Sequence, residues 1–103
     1  MTAVTVSGGG WIGVRGEIVA REDGRYLVVS EVEPGSPAET AGLVVSDAIS
    51  TVDGFGIHPT FPEFARWVQL HPPGSTVKIT FSRGDGYLAT EVVLGERPPA
   101  SPR

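Results

Sequence analysis

The 103-residue sequence contains no cysteine, which excludes disulfides, thiolate metal sites and cysteine nucleophiles. Lysine occurs once, as Lys78, and the net charge is −4. With no basic stripe to neutralise phosphates, nucleic acid is not an expected partner. No apolar run approaches the roughly 20 residues a spanning helix needs, so direct membrane insertion is not expected. Met1 to Ser7 has neither a basic start nor a long apolar stretch, and so does not read as a secretory signal. Histidine occurs only at His58, beside a proline, and at His71, at a helix end. Neither has metal-ligand spacing, and no G-x-S-x-G elbow is present. A metal, a cofactor and catalysis are therefore not expected of this chain.

What is present suits one small domain, with 40% hydrophobic residues to build one modest core. Ala3 to Ser7 is rich in β-branched residues and reads as a strand or extended arm. From Ile12 to Ala20 apolar residues alternate with polar ones, Arg15, Glu17 and Arg21 falling mostly on the other face. Asp23-Gly24 turns this strand into a second, Tyr26 to Val32, which reads as buried on both faces. Ser36, Pro37 and Glu39 form a capping pattern for a short helix to Ala41, stopped by Gly42. A short strand follows at Ala48 to Val52, closed by Asp53-Gly54, and then a connection from Phe55 to Thr60.

Phe61 to Leu70 reads as the longer helix, capped by Thr60, with two apolar stripes. One is Phe61, Phe64, Ala65 and Val68; the other is Trp67 and Leu70, in line with Glu63. Thr76 to Arg83 and Tyr87 to Leu94 complete a second hairpin, and Pro98 to Arg103 forms a polar, proline-rich tail. The expected fold is α+β: a strongly curved antiparallel sheet of five to six strands, a β-sandwich or partial barrel, capped by two helices. Residues 1–9 are then an arm, 10–96 the domain and 97–103 the tail.

The stretch Gly8 to Val14 admits two chemistries. Gly8, Gly10 and Gly13 match G-x-G-x-x-G, which would cradle a dinucleotide phosphate if Gly13 opened a helix. Residues 14 to 26 instead carry period-two alternation and a hairpin turn, which disfavours that cradle. The other chemistry is a backbone N–H slot for the free carboxylate of another polypeptide.

A longer pattern favours the second. Val32-Glu33-Pro34-Gly35-Ser36-Pro37-Ala38-Glu39-Thr40-Ala41-Gly42-Leu43, then Asp47, Ile49 and Val52-Asp53-Gly54, resembles the PDZ family. It is most similar to the bacterial type attached to HtrA-like serine proteases, in the circularly permuted form that ends on a strand such as Leu94-Gly95-Glu96. The resemblance covers about residues 10 to 96. Ser46 stands where the family has glycine before Asp47, so the turn there is expected to be made by another residue.

The resemblance implies that Trp11-Ile12-Gly13-Val14 is the family's x-Φ-G-Φ carboxylate-binding loop, with the N–H groups of Ile12, Gly13 and Val14 on the terminal carboxylate. The strand from Val14 through Arg15 and Gly16 would pair with the incoming peptide. Glu63, Trp67 and Leu70 would face it across the groove, and Ile12, Val14 and Leu70 would hold the last ligand side chain. Glu63 stands where several eukaryotic members place a histidine that reads Ser or Thr, so that preference is not expected. Hydrophobic C-termini are the expected ligands, bound by a monomeric domain with an affinity on the order of micromolar, or about 8 kcal/mol. Replacing Gly13 by a β-branched residue is expected to weaken binding without unfolding. The parent would be an HtrA-like or other envelope protease, which would place the chain outside the cytoplasm. The rival is a structural or oligomerisation module whose groove is filled by its own chain.

Overall fold

Alternation in the sequence becomes alternation in space from Val14 onward. A computed structural model describes residues 9–96, and the expected arm strand at Ala3 to Ser7 and the tail at 97–103 lie outside them. The elements in chain order are β1 (Gly10–Trp11), β2 (Val14–Arg21), β3 (Gly24–Val32), α1 (Pro37–Thr40), β4 (Ala48–Val52), β5 (Phe55–Gly56), α2 (Phe61–Gln69), β6 (Thr76–Arg83), β7 (Gly86–Val93) and β8 (Gly95–Glu96). All pairings are antiparallel. The main sheet runs β2-β3-β4-β6-β7, with β5 added to β4, and β1 pairs with β8 in a separate ribbon. The sheet does not close into a barrel, so β2 and β7 are its edges. The class is α+β, as expected. The short β1 and β5 were not legible as strands, because two residues give no periodicity.

The core forms on one face of this curved sheet. Leu27 and Val29 of β3, Ile49 and Val52 of β4, Val77 and Ile79 of β6 and Val92 of β7 are fully buried. β3 is not buried on both sides: Val28 is half-buried and Ser30 and Glu31 are exposed, because the outer face of an antiparallel sheet meets water. At the first hairpin the Tyr26 hydroxyl donates to Asp23 at 2.6 Å. That bond to a carboxylate, reinforced by burial, pushes the phenol up to about 12.

Each helix begins as its sequence dictates. The Ser36 hydroxyl accepts from the Glu39 N–H at 3.2 Å, while the Glu39 carboxylate accepts from the Gly35 N–H at 2.7 Å. Thr60 caps α2 by accepting from the Glu63 N–H at 3.3 Å, with Pro62 in the first turn, where its missing N–H costs nothing. Between α1 and β4 the turn is made by Ser46 itself, at φ 81°, which corrects the expectation that another residue would make it. Two bonds hold it there: Ser46 N–H to the Val29 carbonyl at 2.8 Å, and Val29 N–H to the Asp47 carbonyl at 2.9 Å. Asp47 is fully buried and accepts from the Val44 N–H and twice from Arg83, at 2.8 to 2.9 Å. Burial works against its charged form, but Arg83 and the Val44 N–H outweigh it and hold the carboxyl below the usual range.

Candidate functional site

A groove of about 350 Å³ lies between β2 and α2. Its floor is apolar: Ile12 and Val14 point inward and are only 5% and 7% exposed. The helix wall is Phe61, Phe64, Ala65 and Val68, ending at Gln69 near the closed end. Arg15, Ser30 and Glu33 give the opposite rim its polarity. Since β2 is a sheet edge, one row of its backbone groups faces this space unpaired within the sheet.

The closed end is built from backbone. The Ile12 carbonyl accepts from the Ala38 N–H at 3.0 Å, and the Gly13 carbonyl from the Glu33 N–H at 2.8 Å. With these carbonyls drawn toward α1 and its loop, the N–H groups of Ile12 and Gly13 meet no acceptor among the described residues. Val14 stands opposite Val32 on β3, and the flanking Glu33-to-Gly13 bond makes this a non-hydrogen-bonded pair. In such a pair the residue's own N–H and C=O point away from its neighbour, here toward the groove. Three consecutive N–H groups without a partner inside the fold thus line this end of the groove, an arrangement that can act as an anion nest with no basic side chain.

Gly13 makes the nest possible. Its φ is 88°, and a Cβ there would sit 2.3 Å from the Cβ of the buried Ser36 and 2.7 Å from its hydroxyl. Substitution at this position therefore strikes the fold as well as the nest, which corrects the expectation of a change in binding alone. Gly16 is equally constrained, because a Cβ would lie 2.3 Å from the Val28 carbonyl oxygen. Its bare Cα lets β2 lie close against β3 and Leu27 between Val14 and the next inward residue, Ile18. Gly13 opens a strand and not a helix, so the phosphate cradle is excluded.

The structure therefore brings together Trp11, Ile12, Gly13, Val14, Arg15 and Gly16. Trp11 is half-buried, and its indole lies 3.4 Å from where a Gly13 Cβ would be, so it walls the nest. Glu63, Trp67 and Leu70 are not with them. By the helical angle of about 100° per residue, Glu63 and Leu70 lie about 180° around α2 from the groove-lining stripe and Trp67 about 120°. Leu70 is 75% exposed, and Trp67 packs instead against the rings of His71 and His58, at 4.4 and 5.9 Å. The two stripes were legible, but the groove opens directly onto the core, so one stripe serves both, while Trp67 packs against the core outside the groove and Glu63 and Leu70 face outward. Phe61, Phe64, Ala65 and Val68, placed in the stripe not assigned to the groove, and Gln69, Ser30 and Glu33, not singled out, are the groove-lining residues that the sequence did not point to. Ser36 was recognised as a cap; that it also supports the nest depends on a contact distant in sequence. Among the described residues there is no group of three His, Cys, Asp or Glu able to hold a metal, and no helix long and apolar enough to cross a membrane.

Comparison with known proteins agrees with this architecture. Residues 10–94 match the family model of the PDZ domain. The chain is 29% identical over 97 residues to serine endoprotease DegS of Escherichia coli K12, a match covering 86% of this chain and 27% of that protein. It is 31% identical over 97 residues to a probable periplasmic serine endoprotease, DegP-like, of Rhizobium meliloti, covering 86% of this chain and 19% of that one. Among solved structures, the HtrA-type protease AlgW with a decapeptide superimposes with a TM-score of 0.73 at 25% identity, covering 89% of this chain and 30% of that one. The chain thus spans less than a third of the length of each of these relatives.

Proposed function

The chain belongs to the PDZ domain family, and from that premise we propose that it binds the free C-terminus of another polypeptide as a strand added to the β2 edge. The observation that carries this reading is that Ile12, Gly13 and Val14, whose N–H groups have no partner inside the fold, line one end of an apolar groove beside an open strand edge. The terminal carboxylate sits on these N–H groups. An added strand alternates its side chains, so the last and third-from-last residues enter the groove. The last meets Ile12, Val14, Val68 and Gln69; the third-from-last passes over Gly16 toward Phe61 and Ala65. Both are therefore apolar. AlgW, solved with a decapeptide, supports a peptide as the kind of ligand.

In the parent protein the domain serves an HtrA-like serine protease outside the cytoplasm, recognising substrates or regulating the protease. The similarity to DegS and to the periplasmic DegP-like enzyme supports this placement. The test is titration with hydrophobic C-terminal peptides and their amidated counterparts. Free-carboxyl peptides are expected to bind at micromolar levels and amidation to weaken them at least about tenfold, since a charge-assisted contact contributes about 1.5–3 kcal/mol. Equal binding of the amidated forms rules out the nest, and no binding by either set favours a groove occupied by the chain itself.

A further inference from the structure

Once a C-terminus occupies the groove, the outward face of β2 selects among apolar ends by charge. This step rests on the proposed carboxylate nest, which fixes the ligand's register. A carboxylate held by the N–H groups of residues 12–14 sets the last ligand residue beside Val14. Antiparallel pairing then places the penultimate residue beside Arg15, the third-from-last beside Gly16 and the fourth-from-last beside Glu17. The β-bulge in this hairpin does not disturb that count. Arg15 pairs with Glu31 and Gly16 with Val29, so the extra residue, Ser30, lies on β3 and the free edge of β2 stays regular.

Along β2 the inward residues are Val14, Gly16 and Ile18, and the outward ones include the exposed Arg15 and Glu17. The penultimate and fourth-from-last ligand side chains therefore stand on the outward face, next to these two charges. The two are not equivalent. Arg15 already has Glu31 directly opposite it on β3, so its field is partly offset. Glu17 stands opposite Val28 and has no counter-charge across the strand. Neither makes an ion pair among the described residues. With Glu33 on the groove rim, three carboxylates stand near the start of β2 against Arg15, while Arg21, on the same outward face, lies at the far end of the strand over the Tyr26 ring, on a chain whose net charge is −4.

We infer that this domain selects C-termini carrying Lys or Arg at the fourth-from-last position, with Glu17 as the residue that reads it. Apolar side chains at the last and third-from-last positions give the ligand its grip, and the basic residue gives discrimination against acidic ends. Because the pair is exposed, it acts as a screened cross-strand contact, whose size sets the expectation for the test.

The experiment is fluorescence anisotropy with short free-carboxyl peptides of one sequence, apolar at the last and third-from-last positions, differing only in Lys, Ala or Glu at the fourth-from-last. Each is titrated into the wild-type chain and into Glu17→Lys, at low salt and at roughly 0.5 M salt, where screening falls to about 4 Å. The Lys peptide is expected to bind about 3- to 10-fold tighter than the Glu peptide to wild type. That order reverses on Glu17→Lys, and the gap narrows at high salt. An unchanged order on the variant, or no dependence on that position, overturns the charge selection while leaving the groove reading in place. If no free-carboxyl peptide binds, or amidated peptides bind as well, the groove reading falls and the charge selection falls with it.

Discussion

A side chain at position 13 would be built into occupied space. The Cβ of Gly13→Ala would approach the Ser36 Cβ to 2.3 Å, and Ser36 cannot retreat, since it is fully buried and caps α1. To this clash is added the cost of a non-glycine residue at φ 88°. The left-handed conformation costs about 1–2 kcal/mol and overpacking about 1–3 kcal/mol, so Gly13→Ala is expected to lose about 3 kcal/mol of stability. Urea denaturation checks this, and a loss below about 1 kcal/mol would show that the nest can relax around a methyl group. The same residue thus serves two ends of the argument: its backbone turns N–H groups toward the groove, and its bare Cα lets that turn rest on the start of α1.

At the scale of elements, what was legible in the sequence was what is decided locally. The capping pattern at Ser36 and Glu39, the Thr60 cap and the alternation of β2 and β6 are set within a few residues, and each appears where the pattern puts it. What was not legible depends on where an element is placed. Ser46 takes a left-handed turn because β3 anchors it at Val29, a partner distant in sequence. α2 shows two apolar stripes, and only its seat across the mouth of the curved sheet decides that Phe61, Ala65 and Val68 line the groove. The proposed carboxylate loop was marked by its x-Φ-G-Φ pattern, since a backbone nest is written in the positions of glycine and apolar residues; the opposite groove wall had no such local mark. A paired substitution on α2 separates the two faces. Ala65→Glu puts a charge into the groove and is expected to weaken peptide binding at least about tenfold, the cost of a poorly solvated carboxylate. Leu70→Glu, on the exposed outer face, is expected to leave affinity within about twofold, as surface changes usually do. Anisotropy titration reads both, with circular dichroism to confirm folding. A large loss at Leu70 and none at Ala65 would restore the outer stripe as the ligand wall.

For the whole molecule, the proposed use of the β2 edge has to be weighed against the other end of the main sheet path, β7. β2 and β7 both end the main sheet, and both expose a row of backbone groups. β7 even carries more exposed apolar surface, with Tyr87, Leu88 and Val93 open to water. Main-chain pairing alone would not choose between them. β2 differs in having α2 standing beside it, so that an added strand buries two side chains as it pairs, and in having the nest at one end to fix polarity and register. Apolar burial contributes about 25 cal/mol per Å², which makes the enclosed edge the more favourable one for a short peptide. Hydrogen exchange at saturating peptide is therefore expected to slow amides of Val14–Arg21, Val14 foremost, and to leave Gly86–Val93 unchanged. At a ligand concentration of about 100 Kd, mass action also adds about 2.7 kcal/mol to global stability. That general slowing is subtracted by comparing β7 with β4, which has partners on both sides. Protection that appears at β7 and spares β2 would move the binding edge to the far side of the sheet, which borders the short α1 and lies away from the nest.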